Sequence, residues 1–281
     1  MKTITWLSPQ DAPEWFPPLE QALDEPAGLL AAGGDLSPAR LLAAYQRGIF
    51  PWYSPGQPVL WWSPDPRAVL FPEEFHCTRS LAKTLRNAGF VVAVDRDFAA
   101  VIDRCAAPRP HSLGTWITAD MRNAYLELHR LGYAHSIEAW RSGTLAGGLY
   151  GVRLGGMFFG ESMFSRERDA SKVALAQLVQ VCLRNNIAVI DCQLPSRHLE
   201  SLGARAIPRI QFQALLREHI DLETRPLAGC PTKISVPRHR SFPFASSVAA
   251  PIQEAIWMSW PQACITGTIS PASFLVTTVL A

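Results

Sequence analysis

The chain has 281 residues, 48% of them apolar and only 18% charged, which excludes a disordered or fibrous protein and fits one or two globular domains. The formal net charge is only +2, but residues 1–67 carry 4 Lys/Arg against 7 Asp/Glu, residues 68–245 carry 22 against 16, and residues 246–281 carry none against one. Six cysteines form no C-x-x-C pair and no tight partnership with the seven histidines, which argues against a zinc site and a disulfide framework.

The start, MKTITWLSPQDAPEW, has no apolar core and turns acidic at once, so no signal peptide is read and a cytoplasmic location with reduced thiols follows. Residues 1–67 are rich in Pro, Gly and Trp and read as a small N-terminal domain. Its one clear helix is SPARLLAAYQRG, with Ser37 as N-cap, Pro38 at the first helical position and Gly48 as a stop. The stretch GIFPWYSPGQPVLWWSPDPRAVL (48–70) then sets Trp52, Trp61 and Trp62 among five prolines. These rings, with Trp116, are either core anchors or a stacking wall for bases, worth about 1–3 kcal/mol per stacked base and held rigid by the prolines.

After Arg67 the texture changes. RAVLF reads as a strand, and Thr78 caps a short helix that Gly89 ends. Arg79, Lys83 and Arg86 fall at i, i+4 and i+7, three cations on one face with no carboxylate among them. Such a face repels itself unless a polyanion is present, which points to phosphate contact.

A strand over FVVAVDRD, a helix over FAAVIDRCA and a helix capped by Thr118 follow; the last has apolar positions 121, 124, 125, 128 and 131 on one face. Three strands, AHSIEAW, LAGGLYGVRL and MFFGESMF, meander through the turns RSGT and GG. DASKVALAQLVQVCLRN, capped by Asp169, is apolar almost all round, as a helix buried on a sheet is. IAVIDCQL is a short buried strand. The plan is α+β: a mixed sheet flanked by helices over residues 68–245. Residues 246–281 form a tail outside this core, uncharged from Ala255 on; Pro261, Pro271 and many Ser/Thr argue against a membrane span there.

Strand alternation puts Asp191 and Gln193 on one face, away from Ile190 and Cys192. Buried there without partners, each costs about 1–3 kcal/mol, so the pair is either a satisfied structural network or a site. Glu161, beside Gly160, is the second acid, and the glycines at 147, 148, 151, 155, 156 and 160 either admit another molecule or tighten the hairpins. Glu161 with Asp191 can hold an amine or act as an acid/base pair. GESMF lacks the G-x-S-x-G pattern, and Cys192 has no nearby His, so neither a serine nor a cysteine nucleophile is read.

Several stretches together resemble one family, the bacterial leucyl/phenylalanyl-tRNA-protein transferases: GGDLSPARLLAAYQRGIFPW (33–52), WWSPDPRAVL (61–70), GTWIT (114–118), HSIEAW (135–140), FGESMFSR (159–166), ASK (170–172) and IDCQ (190–193). The resemblance covers about residues 28–240. It implies an enzyme that moves Leu or Phe, and sometimes Met, from charged tRNA to the N-terminal Arg or Lys of a protein, marking it for degradation. It also implies a second domain with an N-acetyltransferase-like fold and no metal or coenzyme A; a monomer is expected. By the same resemblance Asp191 and Gln193 form the catalytic pair with Glu161 as site acid, and Trp52 and Trp116 stand at the aminoacyl-adenosine site. Leu149, Phe158, Ser162, Leu178 and Cys182 fall at side-chain-pocket positions; Leu149 and Cys182 stand where bulkier Met and Phe are expected. In this reading Asp191 draws in the α-amine, while Arg79, Lys83, Arg86, Arg166, Arg168 and Lys172 grip tRNA phosphates. Two rivals remain: a coenzyme-A acyltransferase, for which SRERDASK lacks the glycines of a pyrophosphate loop, and a non-catalytic adaptor that binds tRNA or protein N-termini.

Overall fold

The computed structural model describes residues 2–108, 115–220 and 227. The tail at 246–281 and the stretch VPRHRSF (236–242) lie outside the described residues. The N-terminal part builds a sheet of its own from β1 (Thr5–Leu7), β2 (Leu29–Gly33), β3 (Phe50–Pro51) and β4 (Leu60–Trp62), in the order β1-β2-β4-β3. Its helix α1 (Pro38–Gln46) starts as expected, with the Ser37 side chain accepting the Arg40 N–H and Pro38 at the first position. The strands were not foreseen: their runs are short and broken by Pro and Gly. They also decide the fate of two tryptophans. Trp61 and Trp62 are buried in β4, with the Trp61 indole N–H bonded to the Gly33 carbonyl and that of Trp62 to the Trp52 carbonyl. They are core anchors.

The larger sheet contains β5 (Arg67–Leu70), β6 (Val91–Val94), β7 (Ala134–Arg141), β8 (Thr144–Leu154), β9 (Met157–Ser165), β10 (Val189–Gln193) and β11 (Arg205–Ile207), in the order β11-β5-β10-β9-β8-β7-β6. Only β9 and β10 pair in parallel; the other neighbours are antiparallel. This is the expected α+β plan, and the meander of β7, β8 and β9 falls where the alternation put it. β11 is an addition, a three-residue edge strand too short to show a period.

Helices α2 (Arg79–Asn87), α3 (Phe98–Ala106), α4 (Ala119–Arg130), α5 (Ala170–Arg184), α6 (Arg197–Glu200) and α7 (Arg209–His219) cover the sheet. One face of the sheet packs with α1, α3, α4, α7 and the first sheet in a single apolar cluster, including Leu41, Tyr45, Val101, Tyr125, Tyr150, Phe159 and Phe212. The opposite face packs against α2 and α5, through Leu81, Leu85, Val173, Leu178, Phe158 and Ile190. The capping residues Thr78 and Thr118 act as read, each accepting a backbone N–H three residues on. Asp169 does not. It sits at the N-cap position of α5 at φ 63° and makes no capping bond; its carboxylate binds Lys172 instead.

Two meander glycines are set by packing. A Cβ at Gly147 would lie 2.6 Å from that of Ala170, and one at Gly151 would lie 2.2 Å from the Phe159 carbonyl oxygen. Among the described residues no helix is long and apolar enough to cross a membrane.

Candidate active site

Two bulges in neighbouring strands build the site. β9 and β10 pair only over Met157–Phe159 and Val189–Asp191. Just beyond, β8 opposes Tyr150 to Ser162 and Gly151 to Gly160, which leaves Glu161 as the extra residue of β9. On the other side β5 opposes Val69 to Asp191 and Ala68 to Gln193, which leaves Cys192 as the extra residue of β10. Gln193 there takes a left-handed φ of 63°. Bulges re-aim side chains and end pairing, and here they open a cavity of about 30 Å³ between the strands, α5 and α6. Its lining includes Leu149, Gly160, Glu161, Ser162, Met163, Leu175, Leu178, Ile190, Asp191 and Leu199.

Glu161 is buried among phenols. Tyr45 of α1 donates to its Oε1 at 2.8 Å, Tyr125 of α4 donates to its Oε2 at 2.7 Å, and the Gln193 amide nitrogen donates to Oε1 at 3.1 Å. The two phenol oxygens are themselves 2.5 Å apart. Burial disfavours the charged form of a carboxyl while hydrogen bonds favour it. Burial dominates here: with the negative charge of Asp191 adding to it, it pushes Glu161 up to about 7 against the pull of both tyrosines and of Arg67. The phenols of Tyr45, Tyr125 and Tyr150 are in turn driven well above their ordinary range, first by burial and then by the Glu161 charge.

Asp191 has different company. Arg67 grips it with a fork, Nε to Oδ1 at 2.8 Å and Nη2 to Oδ2 at 2.7 Å, and the Gln193 backbone N–H donates to Oδ1 at 2.9 Å. The side chain is 0% exposed. Both of its oxygens are bonded inside the protein, because a charge buried this deeply needs a counter-charge and several donors. Asp191 and Gln193 do lie on one side of the sheet as alternation suggested, but through a bulge rather than a regular strand.

The remaining candidates divide. Leu149, Ser162 and Leu178 line the cavity. Phe158 and Cys182 do not: both are fully buried in the apolar cluster behind it, and burial pushes the Cys182 thiol far above its ordinary range. Trp52 and Trp116 are half-buried outside the cavity. A 3.0 Å bond between the hydroxyls of Tyr53 and Thr118 ties the segments that carry them. Arg79, Lys83, Arg86, Arg166 and Arg168 are exposed, whereas Lys172 binds Asp169 at 3.0 Å and Arg168 approaches the same carboxylate at 3.7 Å. Among the described residues no group of three His, Cys, Asp or Glu could hold a metal.

Two family models match this chain: "Leucyl/phenylalanyl-tRNA protein transferase" over residues 69–217 and the N-terminal domain of the same family over residues 34–65. The chain belongs to the leucyl/phenylalanyl-tRNA protein transferase family. Transferases of that name from Azotobacter vinelandii, Stutzerimonas stutzeri and Pseudomonas entomophila are similar to it. The first is 60% identical over 74% of this chain and 92% of its own length; the others are 58% and 59% identical over 78% and 96%. Among solved structures, L-PGS from Bacillus licheniformis aligns over 56% of this chain and 50% of its own at a TM-score of 0.33 and 12% identity.

In this transferase Arg67, Tyr45 and Tyr125 are site residues that sequence reasoning did not single out. Each left a faint signal: Arg67 is a charge opening an apolar strand, and the two tyrosines are hydroxyls on the buried faces of α1 and α4.

Proposed function

We propose that the protein transfers Leu or Phe, with Met as a third donor, from its charged tRNA to the N-terminal Arg or Lys of a protein, creating a degradation signal. It acts in this reading as a cytoplasmic monomer without metal or coenzyme. Residues 1–67 form the small domain, 68–245 the catalytic domain and 246–281 an appended tail.

An aminoacyl ester is already activated, so the protein needs to orient an amine and carry its proton. The α-amine nitrogen bonds to the ester carbonyl carbon, the bond to the ribose oxygen breaks, and the amine's proton passes by way of Glu161 to that leaving oxygen. The observation that carries this is Glu161: a residue of the cavity lining whose buried carboxyl is held near neutrality, with the Gln193 side-chain amide against it. A base of that strength is half ionised where the cell works. Gln193 orients the amine or the developing oxyanion, and Asp191 acts from behind by holding Gln193.

The apolar wall of Leu149, Leu178 and Ile190 suits the chemistry of a Leu or Phe side chain. A pocket of this kind separates single methylenes by only about 1–3 kcal/mol, so some promiscuity among the three donors follows. Trp52 and Trp116 supply ring faces for the terminal adenosine, and the cations of α2 with Arg166, Arg168 and Lys172 meet the acceptor stem.

Incubation with labelled Phe-tRNA and a peptide that begins with Arg yields labelled peptide; tRNA binding with no labelled peptide makes the protein an adaptor instead. Charge reversal at Arg79, Lys83 and Arg86 weakens tRNA binding and flattens its dependence on salt. An unchanged salt slope removes α2 from the footprint.

A further inference from the structure

Arg67 opens β5 and is only 1% exposed. Its guanidinium packs against two rings, 4.7 Å from the centre of Phe50 in β3 and 4.8 Å from that of Phe212 in α7. Two rings packed this close restrict the planar group, and the fork along its edge meets both oxygens of Asp191. The Oδ1 atom that receives Arg67 Nε also receives the backbone N–H of Gln193. That bond closes a turn in which Gln193, a residue with a Cβ, holds φ 63°. Such a conformation costs energy and persists only where its surroundings impose it. The same turn brings the Gln193 amide to Glu161 at 3.1 Å.

We infer that Arg67 is a positioning residue for the transfer reaction: through Asp191 it holds Gln193 in the turn that aims its amide at Glu161. The inference rests on the transfer reading above and adds a link to it. Two rings orient the guanidinium, the guanidinium orients the carboxylate, and the carboxylate holds the strained turn. Phe50 comes from the first sheet and Phe212 from the last helix, so catalytic alignment depends on how that sheet and that helix pack around one cation. Lysine keeps the charge but has no fork, and it loses the alignment.

The test uses the full chain, well below each variant's melting temperature. Arg67→Lys lowers kcat at least tenfold and leaves KM for Phe-tRNA within about twofold; unchanged kcat per folded molecule overturns the inference. In a Gln193→Gly background, where the turn is unstrained and the amide is gone, Arg67→Lys has little further effect on kcat. An equal fold-loss in both backgrounds also overturns it. Should Arg67→Lys not fold, Phe212→Leu removes one ring of the clamp and lowers kcat about threefold at unchanged KM, and full kcat refutes the link. Hydrogen exchange separates this inference from the transfer reading. The Gln193 backbone N–H exchanges slowly in the wild-type protein and at least tenfold faster in Arg67→Lys even if no peptide is ever labelled; equal rates in the two proteins sink the positioning role by itself.

Discussion

Glu161 and Asp191 sit on neighbouring strands, one in a bulge and one beside a bulge, each out of water, and they are managed in opposite ways. Asp191 meets a guanidinium and a backbone N–H; its charge is matched by another and both stay inside. Glu161 meets two phenols and an amide, all neutral, and its charge is left poised near pH 7. Burial alone therefore does not set what a carboxylate can do. A charged partner turns it into a fixed strut, whereas neutral donors leave the push of burial uncancelled and the group near neutrality.

The sharpest way to break this contrast is to take the charge from Asp191. Asp191→Asn strands Arg67 without its counter-ion and costs about 3–5 kcal/mol in urea unfolding, while Arg67→Met with Asp191→Leu recovers most of that loss. A cost below about 1 kcal/mol would show that the pair is not the strut described.

The counterpart experiment removes the proton site at Glu161. A folded-state value raised to about 7 from an ordinary 4.5 means that the folded protein holds this proton over a window where the unfolded chain has released it. Stability from this group is complete below about pH 4.5 and is lost as pH rises toward 7, on the order of 3 kcal/mol in all. Glu161→Gln flattens that slope between pH 5 and 8 in urea titrations. It also slows transfer by about 10²–10⁴-fold and abolishes the rise in rate through pH 7. A wild-type unfolding free energy that does not fall across this window contradicts the account of a carboxyl raised by burial.

A third buried polar group has neither kind of company. Gln177 in α5 is 1% exposed, and neither its amide nitrogen nor its amide oxygen has a partner among the described residues. Gln177→Leu removes that unmet need and raises stability by about 1 kcal/mol, read as a higher melting temperature. A lower melting temperature would mean that the amide is satisfied in solution.

Much of the scaffold was legible in the sequence. Ser37, Thr78 and Thr118 cap helices through bonds that reach three residues ahead, and Gly48 and Gly89 stop two of them in left-handed conformations. The meander shows itself by alternation with turns between. The acids at 161 and 191 and the amide at 193 stood out because polar residues are rare in apolar runs. These signals are local, so a linear string carries them.

What each of those residues does was decided only in three dimensions. Arg67 meets Asp191 across 124 positions, and Tyr45 meets Glu161 across 116. No periodicity encodes such meetings, because the packing of separate elements makes them. Two one-residue bulges then turned a regular strand pair into a site. The sequence by itself determined which residues had chemistry to offer; the tertiary structure alone decided which carboxylate is tied down and which is left to titrate, since that depends on the donors brought around each one.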